Sequence, residues 1–248
     1  MSIGYWSHNK YYRMNVEELV TEFCGWKPLT DLISYAQEGR DQAFLTALFQ
    51  TGGRVSEVLA LMKRNFMIRS VEGVVVVTDM ILLKRYKKLS EYVDSEGSRK
   101  WETEKLLTKR KQFPIKIAEP LTPILLKWLD HYENLLFPSP YKLGPLSRWW
   151  AYKLVRHLDK VIPEKLRTQL DLNKPLIKNG KEVKHKLNLW LHWFRSQRAS
   201  QLVDNYNYEV LDLVDYFSWK KQDTALIYAR RGWRGLASKM QATQITYV

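Results

Sequence analysis

The sequence predicts a mainly helical chain that carries a small antiparallel β-sheet or hairpin, an α+β fold, and three observations lead there. Apolar residues recur at helical spacing up to Leu61 and again after Pro120. Between those regions the spacing changes: Val74 to Val77 is β-branched throughout, and Lys111-Gln112-Phe113-Pro114-Ile115-Lys116-Ile117 alternates as a short strand does. The charge-dense stretch from Lys84 to Thr108, with Gly97 inside it, joins the two strand signals and reads as a long, mobile hairpin loop.

Taken in order, Asn15 followed by Glu17 and Glu18 has the character of an N-cap and first turn, and a helix that begins near Asp41 is broken by Thr51-Gly52-Gly53. A strand region covers Glu72 to Leu83. Beyond Pro120, helices are predicted near 121–136, 147–160, 186–203, 208–217 and 222–230. Asn173 to Lys186, lysine-rich and holding Pro175 and Gly180, reads as a basic connection before the helix that carries His192. With no internal repeat, low-complexity tract or clear linker, residues 1–248 are read as one domain. It has an N-terminal extension over 1–14, the basic loop over 85–108 and a C-terminal tail over 232–248.

A chain of 248 residues can build a core without disulfides or metals. Forty Lys and Arg against 26 Asp and Glu give a formal charge of +14, so the expected partner is a polyanion. Charge alone does not choose among nucleic acid, an anionic membrane surface and an acidic protein. Cys24 is the one cysteine, which excludes an internal disulfide or a thiolate metal cluster and favours a reducing compartment. The start, MSIGYWSHNKYY, is too polar for a signal-peptide core, and no apolar run is long enough to span a bilayer. A cytoplasmic protein without a membrane partner is expected.

Three segments carry candidate chemistry. In the first, Thr51-Gly52-Gly53-Arg54-Val55-Ser56-Glu57-Val58-Leu59-Ala60-Leu61, two glycines end one helix and set Arg54 at the start of the next. A guanidinium there matches phosphate oxygens, and a helix start favours an anion; the plainer reading is a surface pair with Glu57. In the second, Leu191-His192-Trp193-Phe194-Arg195-Ser196-Gln197-Arg198, the His192 and Arg195 spacing puts both on one helix face. There Arg195 can offset charge developing on a phosphate, and His192 can donate a hydrogen bond or shuttle a proton. The third joins Phe217-Ser218-Trp219 to Thr224-Ala225-Leu226-Ile227-Tyr228-Ala229, with Tyr228 nine positions after Trp219.

In this order the segments resemble the tyrosine recombinases and integrases, whose pattern is a T-G-x-R-x-S-E-x-L-x-L box, an H-x-x-R box, and His or Trp nine residues before the tyrosine. The wording HWFRSQRAS with Trp219 looks most like the recombinases of archaea and their mobile elements, including virus- or plasmid-encoded ones. The resemblance spans about residues 54 to 229. It implies Arg54 and Arg195 as phosphate-binding residues, with His192 and Trp219 as further catalytic members, Tyr228 as nucleophile and Glu57 as structural support for Arg54. It also implies a catalytic lysine on a β-hairpin. Lys84 is the choice here, with Arg85, Lys87 and Lys88 beside it and Lys109 and Lys111 across the loop. Those five, with Arg198, are expected to contact DNA. Ser196 and Trp219 depart from the commoner His or Lys and His at their places.

The resemblance implies cutting and rejoining of double-stranded DNA by a homo-oligomer, dimer or tetramer, through a 3′-phosphotyrosyl link and with no metal, cofactor or ATP. It also implies a separate N-terminal helical domain, which is not evident in the 53 residues ahead of Arg54. A type IB topoisomerase shares the arginines, lysine and tyrosine but usually has Lys where this chain has His192. A non-cutting DNA-binding protein with the same fold is the other alternative. Asp212 and Asp215 share a helix face but have no convergent carboxylates, so a metal nuclease is the weakest reading.

Overall fold

The computed structural model describes residues 22–78, 80–83, 105–107, 113–132, 134–141, 144–173, 176–178, 181–184, 188–219 and 222–229. The helices are α1 (Trp26–Ser34), α2 (Arg40–Thr51), α3 (Val55–Leu59), α4 (Thr122–Leu129), α5 (Arg148–Val161), α6 (Glu164–Gln169), α7 (Leu191–Tyr206), α8 (Val210–Phe217) and α9 (Gln222–Ala229). The strands are β1 (Phe66–Arg69), β2 (Val74–Val77), β3 (Ile81–Leu83), β4 (Lys105–Leu107), β5 (Phe113–Lys116), β6 (Leu176–Lys178) and β7 (Lys181–Lys184). The mainly helical fold with a small antiparallel sheet is the one the sequence predicts.

Helix α2 runs through the middle, and every residue from Ala43 to Thr51 is buried. A helix enclosed on all sides cannot show one apolar stripe, which explains why its polar Thr46, Gln50 and Thr51 are interior residues. It packs on α7, α4, α3 and α1. Helix α7 is built the same way, with Arg195, Gln197, Arg198, Ser200 and Gln201 buried beside Trp193, Phe194 and Leu202. The amphipathic α5, in contrast, turns Ala151, Leu154, Val155 and Leu158 inward and is capped by Ser147 Oγ, which accepts from the Trp150 N–H at 3.1 Å.

The sheet has the order β1-β2-β5, antiparallel throughout, with Phe66 opposite Val77 and Val77 opposite Phe113. Val75, Val77, Phe113 and Ile115 face the core. Pro114 is tolerated because β5 is an edge strand, where a missing N–H costs no ladder bond. The ends of the long hairpin pair as β3 and β4, with Ile81 opposite Leu107, while residues 84–104 lie outside the described residues. So do the N-cap expected at Asn15, the extension over 1–14 and the tail over 232–248.

Three local expectations are corrected. The connection from Asn173 to Lys186 contains an antiparallel pair, β6 with β7, because the Asn179-Gly180 dipeptide between two short β-compatible runs suits a tight turn. The predicted helix over 121–136 ends at Leu129, after which the chain runs on to an isolated bridge between Leu135 and Met62. Strand β1 and helix α6, not foreseen, fill the gaps at Phe66–Arg69 and Glu164–Gln169.

Helix α8 ends on Ser218, whose φ of 51° lies in the left-handed region. That conformation costs an L-residue about 1–2 kcal/mol, and glycine's added freedom in the unfolded chain offsets up to about 1 kcal/mol of any relief. Ser218→Gly is expected to raise stability by up to about 1 kcal/mol, read as a higher urea midpoint with an unchanged slope. A lowered midpoint would contradict the assigned strain.

Candidate active site

The site is organised by the turn Gly52-Gly53 between α2 and α3. Gly52 has φ +53°, and a Cβ built there would overlap the Phe217 ring. At Gly53 a Cβ would stand 2.7 Å from Met80 Cε and 2.8 Å from Val58 Cγ2. Both positions therefore demand glycine, one for backbone conformation and close approach, the other for close approach alone. Thr51 Oγ1 closes the turn by accepting from the Gly53 N–H at 3.1 Å.

Arg54, released by this turn, occupies the N-cap position of α3. Its backbone N–H donates to Glu57 Oε2 at 2.7 Å and its Nη1 lies 3.3 Å from Glu57 Oε1. The Glu57 side chain is 1% exposed, whereas that of Arg54 is 60% exposed. The two residues do pair, as the plainer reading of this segment has it, but with the carboxylate buried and not on the surface. A buried carboxylate holds the base of an arginine whose remaining surface faces outward, where an anion can meet it.

Arg195 reaches the same turn from α7. Its guanidinium donates through Nη1 to the Gly52 carbonyl and through Nη2 to the Phe217 carbonyl at 3.4 Å. It also lies 4.7 Å from the Phe217 ring centre and 5.4 Å from that of Trp219. The two rings stack on each other at 4.6 Å with their planes 17° apart. A cation against two aromatic faces is stabilised by the ring quadrupoles while its N–H groups remain directed. Arg195 is 2% exposed, so these carbonyls and rings form part of a buried setting.

His192 lies one turn before Arg195, at the start of α7, and is exposed. Tyr228 is in the last turn of α9, a helix that packs on α7 and α8; of Tyr228 the structure describes the backbone alone. Strand β3 packs against α3 and ends at Leu83. Lys84, Arg85, Lys87, Lys88, Lys109 and Lys111 lie outside the described residues. Arg54, Arg195 and Trp219, separated by up to 165 positions in the chain, meet at one turn.

Arg198 corrects the expectation of a DNA contact. It is 1% exposed, and its Nη1 donates to Glu119 Oε1 at 2.7 Å and to Gln201 Oε1 at 2.9 Å, while Nε donates to the Tyr216 hydroxyl at 3.1 Å. Its charge is already matched by the buried Glu119 carboxylate, and that pairing, not burial alone, which Arg195 shares, sets the two arginines apart. Burial opposes its charge, but Tyr216 and Glu119 more than reverse that and raise its pKa. Desolvation pushes the Cys24 thiol up to about 12.

Sequence reasoning missed one further basic surface. On α5, Trp149, Tyr152, Lys153, Arg156 and Lys160 are exposed on a common face. The Trp149 and Tyr152 rings stack at 5.4 Å, Lys153 Nζ sits 5.6 Å from the Trp149 ring centre and Arg156 is 5.6 Å from that of Tyr152. The one carboxylate of α5, Asp159, instead binds Arg167 Nη1 at 2.7 Å and the Leu189 N–H at 2.8 Å. The i, i+3, i+4, i+7 spacing of the face was legible, but the abundance of aromatics concealed it. Among the described residues no cluster of His, Cys, Asp and Glu could hold a metal, and no helix is long and apolar enough to cross a membrane.

No protein-family model matches the chain, and no curated protein matches it in sequence. Solved structures do match in shape. XerA recombinase superposes over 92% of this chain and 66% of its own, at 17% identity and a TM-score of 0.53. XerH site-specific recombinase bound to palindromic difH substrate, a post-cleavage complex, matches 92% of this chain at 15% identity and a TM-score of 0.51. The fold is that of tyrosine recombinase catalytic domains. A third neighbour, the Tn1549 transposon integrase in complex with transposon right end DNA, covers 93% of this chain and 70% of its own at 14% identity and a TM-score of 0.52. The chain spans 52% of the length of XerH.

The geometry of the turn has a direct test. Gly52→Ala is expected to lower stability by about 3 kcal/mol, combining left-handed strain with displacement of the Phe217 ring. Gly73→Ala, at φ +67° with open space around it, should lose only about 1 kcal/mol. Equal losses in chemical denaturation would show that Phe217 does not press on Gly52.

Proposed function

We propose that this chain is a site-specific recombinase or integrase that cleaves and rejoins double-stranded DNA through a covalent link to Tyr228. The observation that carries this reading is the convergence of Arg54, Arg195 and Trp219 on the Gly52-Gly53 turn, with Glu57 holding Arg54 and two carbonyls holding Arg195. Two directed guanidinium groups are suited to neutralise non-bridging phosphate oxygens as charge grows on them. The DNA-bound recombinases among the structural neighbours support the same reading.

In the proposed reaction the Tyr228 phenol attacks the scissile phosphorus in line. The phenol gives up its proton to His192 or to solvent as a bond forms between its oxygen and phosphorus and the bond from phosphorus to the 5′ oxygen breaks. Lys84 supplies the proton that leaves a free 5′ hydroxyl, while Arg54, Arg195, His192 and Trp219 contact the phosphoryl group. Attack by a second 5′ hydroxyl on the 3′-phosphotyrosyl link reverses the step and joins a new partner, without ATP or metal because the phosphodiester energy is kept. The working unit is a dimer or tetramer on DNA, of the archaeal or mobile-element kind. Arg85, Lys87, Lys88, Lys109 and Lys111 add phosphate contacts, as does the α5 face, whose Lys153 and Arg156 lie against the Trp149 and Tyr152 rings.

On a nicked suicide duplex bearing the cognate site, wild type is expected to be trapped covalently and Tyr228→Phe is not, as seen on a denaturing gel. Trapping of both to the same extent would end this reading. For the α5 face, the double variant Lys153→Ala, Arg156→Ala should flatten the dependence of log binding constant on log salt by about two. An unchanged slope would remove that face from the DNA interface.

A further inference from the structure

We propose that Arg198, Glu119 and Tyr216 form a buried positioning device that sets the aim of Arg195, an inference that rests on the reading of Arg195 as a phosphate-binding residue. Arg195 bridges two chain ends: the Gly52 carbonyl just beyond α2 and the Phe217 carbonyl in the last turn of α8. Its hold on both carbonyls therefore depends on those two ends keeping their separation. The Tyr216 hydroxyl spans the same gap. It donates to the Gln50 carbonyl at 2.7 Å, two residues before Gly52, and belongs to the residue directly before Phe217.

That hydroxyl is itself held from α7, because it accepts from Arg198 Nε at 3.1 Å. One helix thus presents Arg195 to the gap and, three residues later, Arg198 to the strut across it. Glu119 fixes the other side of Arg198 at 2.7 Å and also accepts from Tyr206 at 2.9 Å and from Gln50 Nε2 at 3.1 Å. Gln50 is therefore gripped by both its side chain and its carbonyl. Burial pushes the Tyr216 phenol up to about 12, with Arg198 opposing the rise, so the hydroxyl keeps the proton it gives to Gln50 across the neutral range.

Tyr216→Phe removes the strut and keeps the ring. Two readouts separate aim from general stability. In the protein labelled with ¹⁵N-arginine, the Arg195 guanidinium protons are expected to exchange faster in the variant. Those of Arg167, bound to Asp159 away from the gap, should keep their rate. A merely destabilised core would speed both alike, and that outcome, or an unchanged Arg195, overturns the proposal. On the suicide duplex at saturating DNA, the covalent-capture rate is expected to fall about tenfold to a hundredfold, with affinity kept within about twofold. Capture at the wild-type rate with Arg195 loosened also overturns it.

Wild type that fails to be captured on the cognate site would end the recombinase reading. The exchange measurement still decides whether Tyr216 aims Arg195. Should Tyr216→Phe not fold, Arg198→Lys serves in both assays. It retains the charge opposite Glu119 but has no planar fork to hold Tyr216 and Glu119 together.

Discussion

Two charges held out of water set the terms on which the central helices meet. Arg198 and Glu119 are each about 1% exposed and 2.7 Å apart. Taking such a pair from water costs several kcal/mol per ion, so it persists only where further hydrogen bonds surround it. Here they do: Gln201 and Tyr216 on the arginine, Gln50 and Tyr206 on the carboxylate. Removing either partner would strand the other, at a cost of about 3–5 kcal/mol. The pair ties α7 to the segment between β5 and α4, and through Tyr216 and Gln50 it reaches the ends of α8 and α2.

The consequence is a core that is partly polar at its centre. Helices α2 and α7 pack on each other, with the Arg198 guanidinium 5.6 Å from the Phe49 ring centre, and each buries polar side chains, Gln50 on one and Gln201 on the other, beside apolar ones. Apolar contact is tolerant of small slips, whereas hydrogen bonds at 2.7–3.1 Å are not. A site that must hold an arginine in one direction gains from resting on the second kind. The Gly52-Gly53 turn adds to this rigidity by leaving no room for a side chain against Phe217, Met80 or Val58.

The surface is organised differently. The excess of 14 positive charges is a long-range property, and on α5 it is arranged with aromatic rings that brace the lysine and arginine. Such cations lose little freedom on meeting a polyanion because their stems are already packed. The interior guanidinium of Arg198 and the exterior one of Arg156 therefore do opposite work with the same chemical group.

Much was legible in the sequence by itself. The helical periods before Leu61 and after Pro120, the β-branched run at Val74 and the glycine pair before Arg54 follow from local sterics and spacing, which act within a few residues. They defined the mainly helical fold with its small sheet, while the order of the three segments and their resemblance to the tyrosine recombinases named Arg54, His192, Arg195, Trp219 and Tyr228 as candidates. Tertiary structure alone decided what those residues touch. Arg195 and Arg198 are three apart on one helix and look alike in sequence, yet one meets two carbonyls and two aromatic rings while the other meets a buried carboxylate. Charge and spacing are local quantities, but burial depends on what the distant chain brings opposite, and here that was Glu119 for one arginine and Gly52 with Phe217 for the other.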